Sequence, residues 1–248
     1  KASWGDETAF DQRALDAMFE VSPRRGGLLR FIASSWIKEY AIGSFRYEGT
    51  RADDPNDVIP HEDRRDLRGM RVLAAWLNRF DAREGNTLDT WIADAKKGPP
   101  DASPGHVRHY HLDVSETLGS VLTLGDELGR RMGHSYMVDF GHMASDLATF
   151  GALSRPWDTL PPTLISRTFG YFDVEHFVPD RWKSEYSNAA FTRMTERDAA
   201  WMARILARLS PKTIRILSTM GDLTDARDAE YLARVLESRG KTDGIREL

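Results

Sequence analysis

Leu77-Asn78-Arg79-Phe80-Asp81-Ala82-Arg83-Glu84-Gly85-Asn86-Thr87-Leu88 is the stretch on which the reading of this chain turns. An aspartate is followed two residues later by an arginine and five residues later by an asparagine that opens a short apolar strand. A second run, His109-Tyr110-His111-Leu112-Asp113, ends another short strand on an acid just upstream of Thr117-Leu118-Gly119. A carboxylate and an amide carbonyl are hard oxygen ligands of the kind Mg²⁺ takes. A separate carboxylate can orient a hydroxyl and accept its proton, while a nearby cation offsets charge developing on a transferred group. Asp81, Arg83, Asn86 and Asp113 supply one group for each role, with Asp81 as base, Arg83 as the facing cation, and Asn86 and Asp113 as metal ligands. The assignment requires Asn86 and Asp113 to converge, with Asp81 facing the same hollow.

By itself an aspartate five residues before an asparagine is a weak signal, and context strengthens it. The order of helix, acid-bearing loop, hairpin and second acid is that of the protein-kinase-like superfamily, which the chain resembles. It resembles more closely a poorly characterised bacterial family with a D-x-x-x-x-N loop and an I-D-F-G-S-T-L-G segment. The likeness runs from about Leu29 to about Leu236, through residues 49–57, 59–65, the two runs above, Arg155-Pro156-Trp157 and Glu175-His176-Phe177. It implies an α+β fold: a kinase-like C-terminal lobe, mainly helical with short β-hairpins, its N-terminal lobe largely missing. It also implies a phosphotransferase using Mg²⁺ and ATP, whose partners are a nucleotide and an acceptor that the sequence does not specify. Residues 1–48 would be a remnant of the N-lobe with a hinge-like segment, and 49–248 the C-lobe.

The chain departs from that pattern in two places. Asp113-Val114-Ser115 stands where D-F-G is expected, keeping the acid and losing the glycine, and no glycine-rich loop precedes a lysine-bearing strand. These departures favour an alternative on the same fold, a nucleotide-binding or partner-binding pseudokinase module without turnover. The first residue is Lys1, so a processed or truncated product is expected. A literal Asp139-Phe140-Gly141 also occurs, but Met143, Leu147 and Phe150 follow at helical spacing, and Asp139 reads as a helix cap.

At 248 residues the chain is long enough for a substantial core. A formal net charge of -4 argues against a generally nucleic-acid-binding surface. With zero cysteines, disulfides, cysteine nucleophiles and zinc-thiolate sites are excluded. No apolar run reaches the roughly eighteen residues that a membrane-spanning helix needs. The compartment is cytoplasmic by default, or secreted or periplasmic if a leader was removed.

Residues 8–20 read as a helix ended by Ser22-Pro23-Arg24-Arg25-Gly26-Gly27, and 28–37 as a buried strand leading to a hinge-like Lys38-Glu39-Tyr40. The acidic stretch 50–60 reads as an exposed loop. Between His61 and Phe80, Leu67, Met70, Val72, Leu73, Trp76 and Leu77 form a helical apolar face, with Arg64, Arg65, Arg68 and Arg71 on a solvated basic side. The span from Lys96 to Gly105 is a hairpin connection, and the glycine-rich span 119–133 a mobile loop. His109 and His111 fall on the same strand face as Asp113. They read as hydrogen-bonding or site-lining residues, with a metal-dependent hydrolase built from His61, Glu62, His109, His111 and Asp113 as the minority alternative, since position 65 lacks the second histidine of a helical zinc motif. Aromatic residues between 155 and 191 read as loop packing, and Thr195, Ser210-Pro211 and Thr224 as starts of three C-terminal helices.

Overall fold

The structure is a computed structural model that describes residues 10–22, 24–29, 35–94, 100, 103–120 and 126–241. The fold is mixed α+β, and the chain divides into two compact units, residues 1–38 and 39–248. In the first unit α1 (Gln12–Val21) is capped by Asp11, whose side chain accepts from the Ala14 amide at 2.9 Å. A hairpin of β1 (Arg24–Arg25) and β2 (Leu28–Leu29) follows, turning on Gly26 and Gly27, which sit at φ 56° and 79°. Two consecutive positive φ angles suit a tight two-residue hairpin turn. Of the buried strand expected over 28–37, Leu28 and Leu29 form β2, paired with Arg25 and Arg24. Leu28 and Trp36 are exposed, residues 35–38 form no strand with the described residues, and 30–34 lie outside the described residues.

The second unit carries a three-stranded antiparallel sheet in the order β3 (Tyr40–Gly43), β4 (Thr87–Ala93), β5 (Gly105–His111). β4 and β5 are the expected hairpin, in register from Thr87 opposite His111 to Ala93 opposite Gly105. Around it stand α2 (Arg65–Leu77), α3 (Asp126–Arg131), α4 (Phe140–Thr149), α5 (Ala189–Thr192), α6 (Glu196–Leu206), α7 (Pro211–Thr219) and α8 (Ala226–Arg239). The glycine-rich span 119–133 thus contains α3, with 121–125 outside the described residues. Asp139 does cap α4, accepting from the His142 amide at 3.1 Å. Among the described residues no helix is long and apolar enough to cross a membrane.

The core forms on α2, as its periodicity requires. Leu67, Val72, Ala75 and Trp76 are buried against Phe172, Trp182, Phe191, Ala199, Met202, Leu232 and Val235. Most of the aromatic span 155–191 therefore packs inward, with Phe169, Tyr171, Phe172, Phe177 and Trp182 all buried. Of the arginines expected on a solvated side, Arg65 is exposed, whereas Arg64, Arg68 and Arg71 are engaged. Arg68 grips Asp198 through two bonds of 2.8 and 3.1 Å, Arg64 pairs with Asp57, and Arg71 donates to the carbonyls of Asp180 and Trp182. Long side chains on the edge of a buried helix reach carbonyls and carboxylates that sequence neighbours do not reveal.

Two backbone devices shape the chain beyond α2. Asn78 ends the helix in the left-handed region at φ 50°, its amide bonding back to Ala74 and Ala75 while its Oδ1 accepts from Trp182 Nε1 at 2.9 Å. Further on, the Leu118 amide donates to Leu77 O at 2.8 Å, and Gly119 packs directly on Gly170. Both glycines have positive φ, 78° and 56°; a Cβ on Gly119 would overlap the Phe169 carbonyl, and one on Gly170 would overlap that of Gly119.

Arg239 closes the core at the far end of α2. It is buried over the rings of Phe172 and Phe177, 4.0 and 4.2 Å from their centroids, and donates to the carbonyls of Asp173, Ala75 and Trp76. Burial pulls its guanidinium pKa down to about 9. The last carbonyls of α2 and two aromatic faces offset that cost. Arg239→Ala leaves those carbonyls and rings unfilled, and urea denaturation should show a loss of about 3 kcal/mol. A stability within about 0.5 kcal/mol of the parent would refute this account of the core.

Candidate functional site

The left-handed turn at Asn78 carries the chain from α2 into Arg79, Phe80 and Asp81, all buried. Phe80 anchors the loop through its ring, 1% exposed, and through its carbonyl, which accepts from the Ala82 and Glu185 amides at 2.8 Å each. Asn86 lies in a single 3₁₀ turn, residues 84–86, and is also buried. Its Nδ2 donates to the Asp81 backbone oxygen at 3.1 Å and to Asp81 Oδ2 at 2.6 Å. The five-residue spacing read from the sequence is thus the span of a loop closed on itself by one amide.

The loop is locked from outside as well. Thr87 Oγ1 donates to Glu84 O at 2.6 Å and accepts from the Phe45 amide at 3.0 Å, while Glu84 Oε1 accepts from the Tyr47 amide at 3.0 Å. β4 begins immediately after Asn86, so pairing with β5 brings the other run alongside. The Leu112 amide donates to Asn86 O at 2.8 Å, and Arg79 Nη2 donates to Leu112 O at 2.8 Å and Asp113 O at 3.4 Å. A buried guanidinium therefore fastens the backbone that bears Asp113 to the loop that bears Asp81.

Asp113 itself lies past the strand, exposed, at φ 42°. It does not share the β5 face with His109 and His111, because the strand ends at His111. Its Oδ1 accepts from the Ser115 Oγ and amide at 2.5 and 3.1 Å. Those bonds hold its carboxyl pKa below the usual range, with the charges of Arg79 and Arg83 adding to the effect. Arg83 is half-exposed, with Nε 2.9 Å from Asp81 Oδ1, close enough for an ion pair but without hydrogen-bond alignment.

Glu185 joins this corner, although no pattern near it marks it. Its amide binds Phe80 O, and its carboxyl is raised to about 6, first by burial, then by the charge of Asp81 and a hydrogen bond to it. Asp81 Oδ1 and Glu185 Oε2 are both buried, and among the described residues neither accepts a hydrogen bond of good geometry. Two carboxylates in one corner favour a shared proton, while the Arg83 guanidinium beside Asp81 offsets part of their charge. Asn188 supports the same loop, donating to Ala82 O at 3.4 Å and capping α5.

The oxygens available suit Mg²⁺. Asn86 spends its Nδ2 on Asp81, and among the described residues no donor binds its Oδ1, nor the second oxygen of Asp113. Magnesium commonly takes one or two protein carboxylates and fills its remaining positions with water and phosphate. The histidines are used otherwise. His61 is held between Arg46 O and Asp57, 2.9 Å from the latter; His109 binds the fully buried Asp89; His111 packs on Phe45 and Tyr47, where burial lowers its pKa to about 4. Among the described residues no three histidine, aspartate or glutamate side chains converge as a metal cluster.

No family model, no curated protein and no solved structure matches the chain.

The Glu185 shift has a measurable consequence. A carboxyl whose folded pKa lies above its unfolded value of 4.5 favours the native state below that value, and the contribution is lost as pH rises through about 6. Relative to Glu185→Gln, the parent should gain thermal stability as pH falls from about 7 to about 5. Melting curves that run parallel across that window would contradict a charged Glu185 crowded against Asp81.

Proposed function

We propose that residues 49–248 carry the catalytic lobe of a kinase-like phosphotransferase that takes Mg²⁺-ATP as donor. The observation supporting this most directly is the closed corner in which Asn86 binds Asp81 while the next backbone bond ties Asn86 to Leu112 and so sets Asp113 alongside. Asp81 orients the acceptor hydroxyl and takes its proton, its position fixed by Asn86. Arg83, on the solvent side of the same carboxylate, faces the transferred group and offsets the charge that accumulates there. Asn86 Oδ1 and Asp113 would hold the metal. Mg²⁺, when bound, neutralises phosphate charge and orients the oxygens of the donor. Glu185 keeps a second carboxyl beside Asp81 and shields the corner from bulk water.

Asp81→Asn preserves size and an acceptor for Asn86 while removing the base. Release of phosphate or ADP from ATP should fall by about 100-fold or more, with the melting temperature nearly unchanged. Undiminished turnover in that variant would defeat the assignment. The engagement of Asp113 by Ser115 favours a second reading, a nucleotide-binding or partner-binding module without turnover. Calorimetry with Mg²⁺-ATP separates the two: heat of binding without product formation belongs to the second.

A further inference from the structure

A cavity of about 690 Å³ opens beside the segment that leads to Glu185, lined among others by Arg71, Tyr136, Arg155, Val178, Arg181 and Lys183. Its volume falls within the few hundred to about 1,000 Å³ typical of small-molecule sites. Four cationic side chains line it against a single carboxylate, that of Asp180. Two of the four are matched: Arg155 by Asp146, and Lys183 by Asp139, with the ammonium also 5.0 Å from the centre of the Tyr136 ring.

The other two are not. Arg71 gives its Nη2 to the carbonyls of Asp180 and Trp182 at 2.8 and 3.1 Å, and among the described residues its Nε and Nη1 find no acceptor and no carboxylate pairs with it. Burial lowers its pKa, and the charges of Tyr136 and Asp180 offset that only in part. Arg181, exposed on the same rim, likewise forms no ion pair with a described carboxylate. His134 and His142, which also face the cavity, are both shifted downward by burial and contribute polar ring nitrogens rather than charge.

We infer that this cavity binds a small molecule bearing a phosphomonoester, with the dianion on Arg71 and Arg181 and an apolar portion on Tyr136 and Val178. Two guanidinium groups lacking carboxylate partners match the double charge and the several acceptor oxygens of a phosphate better than they match a single carboxylate. The site goes beyond the phosphotransfer reading and stands without it, because none of the residues invoked belongs to the Asp81 corner.

The test is calorimetric titration of the whole chain with inorganic phosphate, with chloride at equal ionic strength as the control. Saturable one-site binding of phosphate is expected, weakened about tenfold or more in Arg181→Gln, which removes one charged contact from an exposed position. Arg71→Gln should abolish it, with circular dichroism checking that the fold survives. Asp81→Asn should bind phosphate as the parent does, so that failure of the phosphotransfer reading leaves this one standing. No saturable binding, equal binding of chloride, or unchanged affinity in Arg181→Gln would overturn the proposal.

Discussion

One side-chain amide organises this molecule's candidate site. The Nδ2 of Asn86 reaches both the backbone and a carboxylate oxygen of Asp81, and the bond to the carboxylate is of the charged kind worth on the order of 1.5–3 kcal/mol. The interaction fixes where β4 starts and hence the register of the hairpin. Because Leu112 binds the carbonyl of the same asparagine, the placement of Asp113 follows from it. A shift of register by one residue would send Thr87 and Asp89 to the opposite face and strand their buried polar groups.

Around that amide three arginines bind backbone carbonyls, beside others such as Arg68 that bind carboxylates. Arg79 fastens the Asp113 strand end, Arg71 holds the turn before Glu185, and Arg239 holds the end of α2. Each joins segments far apart in the chain, and each carries the cost of a cation withdrawn from water. Such links are specific because a guanidinium offers donors in a fixed planar fork that few carbonyl arrangements satisfy.

What was legible in the sequence was what is local. The apolar spacing of α2, the caps at Asp139, Thr195 and Ser210, the pairing of the strands that flank the connection 96–105, itself mostly outside the described residues, and the D-x-x-x-x-N loop all act within a short reach, and the corresponding elements are present. What escaped was long-range. Glu185 meets Asp81 only because the segment before α5 pairs with Phe80, and the arginines of α2 find partners beyond residue 179 as well as at Asp57. Leu28 and Leu29, expected in a buried strand, escaped for the opposite reason: a glycine doublet with positive φ gives them a hairpin partner in Arg24 and Arg25.

The contact of Gly119 with Gly170 sets a limit on how this chain can vary. Any side chain at either position meets main-chain atoms, which cannot be trimmed by a change elsewhere. No compensating pair of substitutions exists at the two positions. The stretch that leaves Asp113 therefore has a fixed landing point, and evolutionary drift in its neighbours must proceed around two positions closed to it.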